Sequence, residues 1–132
     1  TVAQSGSIFT INRAAGCVVT LPAAAAGLHY RFHVGTTVTS NTFTINAASS
    51  ADVLQGQLIT IDKDTPGNIV ATNAGATIGV DVPAADDHQF VADGDTKGRF
   101  LGTMIDYVCI TDALWFVTGF NRHDGTIATA FT

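Results

Sequence analysis

The stretch from Gly98 to Thr118, GRFLGTMIDYVCITDALWFVT, limits the fold more than any other part of the chain. It reads as two long apolar strands meeting at a Thr111-Asp112-Ala113 turn. On the first, Ile105, Tyr107 and Cys109 share one face, and Met104, Val108 and Ile110 share the other. On the second, Trp115 and Val117 oppose Leu114 and Phe116. A strand with one wet face alternates apolar and polar residues. Here both faces are apolar, so the expectation is that a second sheet or another subunit covers each.

The rest of the chain repeats the strand signal at intervals of about ten residues, as sandwiches and barrels do. Ser7–Asn12 sets Phe9 and Ile11 on one face, and Cys17–Leu21 groups Cys17, Val19 and Leu21. His29–Val34 turns Tyr30, Phe32 and Val34 inward with His29, Arg31 and His33 outward, and Thr42–Ala47 alternates again. Gln57–Asp62, Asn68–Thr72, Ala76–Val82, Gln89–Val91 and a short Thr126–Thr129 piece complete the series. Turn formers separate them, among them Asn12 to Gly16, Ser40-Asn41, Asp64 to Asn68 and Asp93-Gly94-Asp95. The Ala23–Ala26 run between Pro22 and Gly27 is too short to sustain a helix and reads as a tight connection. The expected fold is all-β, a single-domain β-sandwich or jelly-roll-like barrel of short antiparallel strands spanning residues 1–132. Extended arms are expected at residues 1–6 and 120–132.

Composition removes several functions. Of 132 residues only 13% are charged while 46% are hydrophobic, so the surface takes its polarity from Ser, Thr, Asn and Gly. Eleven acidic residues against six basic give a net charge of -5, with no Lys/Arg cluster for nucleic acid or anionic membrane. No apolar run is long enough to span a bilayer, and no signal-peptide pattern opens the chain. Cys17 and Cys109, each within an apolar strand, read as buried free thiols rather than as a disulfide framework.

Candidate chemistry is thin. His29 and His33 share a face, but residues four apart on a strand lie roughly 13 Å apart, too far to share a metal ion. Asp62, Asp64 and Asn68 lack the spacing of a calcium loop, and Asp86-Asp87-His88 and Asp93-Gly94-Asp95 read as solvated loops. There is no nucleophile elbow, no phosphate loop and no Glu anywhere in the chain. No catalytic, cofactor-binding or metal-ligating residue is therefore expected, and no enzyme. Trp115, Phe116 and Phe120 could form a sugar-stacking platform, although apolar neighbours favour packing. Phe131, an aromatic near a terminus, is expected to dock into a groove, a neighbouring subunit being one place for it.

The order of these motifs resembles that of tailed-bacteriophage structural proteins. Ser5-Gly6, Phe9, Ala14-Ala15-Gly16, Val18 to Ala23, Ala25 to Leu28, Tyr30, Phe32 and Val34 are similar to an "SG…F…AAG…VTLP…AAGL.Y.F.V" run common there. Thr39-Ser40-Asn41 and the strand Thr42–Ile45 follow in place. Trp115 to Gly119 and Gly125-Thr126-Ile127 resemble the "W.V.G" hairpin end and Gly-Thr-Ile close of the same proteins. The likeness covers most of the chain except Asp62 to Ala92. One departure is the turn Asp112-Ala113, where those proteins have Asp-Gly or Asn-Gly. Ala disfavours the positive φ of a type I′ turn, so another geometry is expected.

The resemblance implies a virion protein of the capsid decoration, or cement, type. Such a protein binds the outer capsid surface as a homo-oligomer, a trimer being favoured, and fastens major capsid protein subunits. Tyr107, Trp115, Phe116, Phe120 and Phe131 are its expected interface residues. The alternative is a tail-fibre or spike-tip module that recognises a host-surface glycan.

Overall fold

In the computed structural model the described residues are 1–62, 78–93, 95–126 and 128–132. Among these residues nine strands form: β1 (Ile8–Ile11), β2 (Cys17–Thr20), β3 (His29–Val34), β4 (Phe43–Asn46), β5 (Val53–Asp62), β6 (Ile78–Asp81), β7 (Gln89–Ala92), β8 (Met104–Thr111) and β9 (Leu114–His123). The only helical pieces among the described residues are single 3-10 turns at Val2–Gln4 and Asp95–Lys97. A six-stranded sheet ordered β1-β3-β8-β9-β5-β6 faces a three-stranded sheet ordered β2-β4-β7. The all-β expectation holds. The expected Asn68–Thr72 strand lies outside the described residues, as do Ala76, Thr77, Asp64, Gly94 and Ile127.

Pairing departs from the expected antiparallel pattern. β1 with β3, β2 with β4, and β5 with β9 are parallel. For β1–β3 and β2–β4 the physical reason is layer switching. From β1 to β4 the chain crosses between sheets at every connection, so same-sheet neighbours are two strands apart in sequence and run in the same direction. A parallel pair needs a crossover, and here a strand of the opposite sheet supplies it. The β8–β9 hairpin is antiparallel, with a register irregularity between Cys109 and Thr111. Its turn is not type I′, because Asn41 is the sole non-Gly residue with positive φ among the described residues.

One core joins the sheets. Tyr30, Phe32, Ile105, Tyr107, Trp115, Val117, Leu54 and Leu58 of the large sheet meet Phe43, Ile45 and Phe90 of the small one. Aromatic contacts bind it: Phe32 meets Tyr107 edge-on at 5.9 Å, Tyr30 lies 5.9 Å from Trp115, and Phe43 meets Phe90 at 6.1 Å. Such pairs contribute about 0.5–1.5 kcal/mol each beyond burial. Gly56 and Gly119 let the central strands close up. A Cβ on either would sit 2.1 Å from a backbone oxygen, of Val117 and Met104 respectively, and both have positive φ.

The expected arms are not free. Residues 1–6 fold back, with Tyr30 Oη donating to Thr1 O at 2.9 Å and Gly6 N to His29 O at 2.7 Å. Residues 120–123 finish β9, and the last residues run beside β7, burying Ala130 and Phe131. Phe131 docks within its own chain, edge-on to Phe90 at 5.8 Å. Of the expected Thr126–Thr129 strand the described residues Thr126, Ala128 and Thr129 lie outside any strand, and pairing comes later, as an isolated bridge between Phe131 and Phe90.

The hydroxyl of Tyr107 is buried without a hydrogen-bond partner among the described residues, and burial pushes it above its ordinary range. A buried unsatisfied hydroxyl costs on the order of 1–3 kcal/mol. Tyr107→Phe is therefore expected to raise stability by about 1 kcal/mol, read as a higher denaturant midpoint at unchanged slope. A loss of stability would mean the hydroxyl has a partner.

Candidate functional site

The five expected interface residues separate cleanly. Tyr107, Trp115 and Phe131 are core residues with at most 2% exposure, while Phe116 and Phe120 are each 42% exposed on the outward face of the large sheet. Strand alternation dictates the split, since Trp115 and Val117 point in and their neighbours must point out. The sealed residues cannot contact a partner. Trp115 and Tyr107 present no open ring to a sugar either.

Register assembles the outward face row by row. His29, Val108, Phe116 and Gln55 are cross-strand neighbours in one row. Ile8, Arg31, Asp106, Thr118 and Gln57 form the next. His33, Met104, Phe120, Ile59 and Val80 form a third. Ile110, Val80, Val108 and Ile59 are exposed along with the two Phe rings. The expectation that both faces of the hairpin are covered thus holds for one face within this chain, and among the described residues the other lies open. A shallow depression of about 250 Å³ opens between Ile59, Met104, Asp106 and Phe120.

A charged group sits within this apolar field. Asp106 accepts from Arg31 Nε and Nη2, both at 2.7 Å, and lies 3.3 Å from His29 Nε2. The Arg31 hydrogen bonds hold its carboxyl below the usual range, against the opposing effect of partial burial. His29 is thereby committed to a carboxylate rather than to His33. A group with a depressed folded value stabilises the fold above the ordinary carboxylate range, and that contribution fades as pH falls through the folded value. Asp106→Asn is therefore expected to melt a few degrees lower than wild type at neutral pH, the gap closing only as the pH falls below the ordinary carboxylate range. Thermal melts across pH check this; a gap constant with pH would contradict it.

Several other charges are used locally. Lys97 pairs with Asp93 and Arg99 with Asp95, and Asp87 accepts from Ala84 N, so these acidic loops brace the backbone. Both cysteines are free, and burial pushes both thiols above their ordinary value. Among the described residues no group of His, Cys and Asp gathers to hold a metal ion.

Sequence reasoning missed Ile59 and Val80, and the pairing of Arg31 with Asp106. One signal was present. Asp106 falls on the Met104-Val108-Ile110 face, and a carboxylate there needs a cation on the neighbouring strand. No protein-family model, curated protein or solved structure matches the chain.

Proposed function

We propose that this chain is an assembly module of the capsid-decoration type: it lays the outward face of its large sheet on a viral shell and fastens major capsid protein subunits together as a homo-oligomer, the trimer being favoured. The observation that carries the reading is the open apolar face bearing Phe116, Phe120, Val108, Ile110, Ile59 and Val80. Six strands at about 4.8 Å spacing and about seven residues mean length give this face about 650 Å². That is close to the roughly 800 Å² per partner of a standard interface.

Charge supports it. The chain carries -5 overall, yet among the described residues the face holds only Arg31, its partner Asp106, and Arg122, which donates to Leu101 O. An apolar, nearly neutral patch on an acidic molecule can dock without bringing like charges together. Modest contacts repeated over a shell then add through multivalency. The glycan alternative loses Trp115 and Tyr107 to the core and would rest on Phe116 and Phe120 alone.

The test is co-sedimentation of the purified chain with shells of tailed-phage major capsid protein. Saturation at a fixed ratio is expected, together with a solution mass that is a multiple of 13.7 kDa. A monomer that stays in the supernatant would overturn the reading.

A further inference from the structure

The two long sides of the sandwich are closed differently. On one side the final residues run between the sheets as an added strand. Gln89 N donates to Thr132 O at 2.8 Å, Thr132 N to Gln89 O at 3.1 Å, and Val91 N to Ala130 O at 2.7 Å. Asp81 of β6 ties the same tail to the large sheet, accepting from Thr129 Oγ1 and Ala130 N, each at 2.8 Å. Phe131 fills the gap between sheets.

On the opposite side, among the described residues, β1 and β2 end their sheets, each paired along one edge only. A groove of about 330 Å³ lies between them, with Phe9, Ile11, Val19, Leu21, Tyr30 and Phe32 among its walls. Leu21 N donates to Asn46 O, so by alternation the backbone groups of Val18 and Thr20 point away from β4 to the free edge. Arg31 N reaches Ser7 O and Gly35 N reaches Ile11 O, which turns Ile8 and Thr10 outward in the same way. Ile8 is 60% and Val18 65% exposed. Neither strand carries the charge or proline with which free edges are usually guarded.

We infer that this open seam is a strand-acceptor site, taking an extended, uncharged segment of a partner chain along the free edge of β2 with alternate apolar side chains in the groove. Charge selects the occupant: no side chain lining the groove is ionisable except the buried Tyr30 phenol, and the one cationic group on its wall, the Thr1 ammonium, donates to Gln4 Oε1 at 2.9 Å, so a charged side chain there would lose its hydration with little compensation. The molecule itself supplies the pattern. The segment closing the equivalent seam, residues 128–132, is Ala-Thr-Ala-Phe-Thr: uncharged, extended and bearing one aromatic. Strand addition gains affinity from main-chain hydrogen bonds and specificity from alternate side-chain pockets. The site is independent of the outward sheet face, so it stands or falls separately from the decoration reading.

The test is titration of the full chain, labelled for amide NMR, with an acetylated and amidated Ala-Thr-Ala-Phe-Thr peptide at up to several millimolar. Shifts confined to residues 8–11 and 18–21 are expected, with slowed exchange at the Val18 and Thr20 amides. The same peptide with Asp in place of Phe should bind at least tenfold more weakly. Val18→Pro removes a free-edge donor without touching the β4 ladder and should abolish binding. Val18→Lys, which only adds charge at an exposed position, should weaken it and guards against misfolding of the proline variant. No shifts at the highest concentration, shifts elsewhere, or undiminished binding by both variants would overturn the site. Seam shifts that grow with protein concentration and no peptide would overturn the occupant, making it a second copy.

Discussion

Phe116→Asp combined with Phe120→Asp is expected to release the chain from its shell while its melting temperature stays within a few degrees of wild type. Both rings project from β9 into solvent, so the core loses nothing when they go. At a docked interface each would be a large aromatic anchor, and truncating such residues costs about 2 kcal/mol or more apiece. The carboxylates add desolvation and repel an acidic neighbour. At about 1.4 kcal/mol per tenfold, affinity should fall by at least a hundredfold, read by co-sedimentation at several shell concentrations. Retention within threefold of wild type would remove this face from the account.

Trp115→Ala should do the reverse, crippling the fold. Trp115 has no exposed surface, lies opposite Cys109 on β8 and Leu54 on β5, and packs 5.9 Å from Tyr30. Removing so large a buried ring leaves a cavity that the two sheets cannot readily close, because β9 is held by an unbroken ten-residue ladder to β5 on one side and paired with β8 on the other. The expected cost is about 3–5 kcal/mol, a large share of the roughly 5–15 kcal/mol by which a domain is stable. Denaturant unfolding gives the value directly. A cost below about 1 kcal/mol would mean that the ring is not sealed between the sheets.

Strand positions were the most legible part of this fold, since alternation in a half-buried strand is written in single residues. His29–Val34 has the bounds that the pattern predicts, and β1, β2, β4 and β7 fall within a residue or so of theirs. β5 was read too short. It begins at Val53 because Gly56, at positive φ, continues the strand against Val117, whereas in sequence the same glycine looks like an end. Parallel pairing was invisible because it depends on which layer each connection crosses to, a property of the whole chain. At the site, alternation divided Trp115 from Phe116 correctly. With apolar residues on both faces, however, it could not say which face turns inward. That choice rests with the small sheet, whose Phe43, Ile45 and Phe90 cover one side only. The tail was misread for a similar reason: nothing in a short polar segment announces that the edge of β7 will receive it.

The account stands on the outward face of the large sheet being covered in the assembled particle. Hydroxyl-radical footprinting of the free chain and of the chain on shells measures this most directly, through the side chains of Met104, Phe116 and Phe120. The account predicts strong protection of these residues on the shell, with exposed residues away from the sheet, such as Leu101, labelled as before. Equal labelling of Phe116 and Phe120 in both states would contradict it.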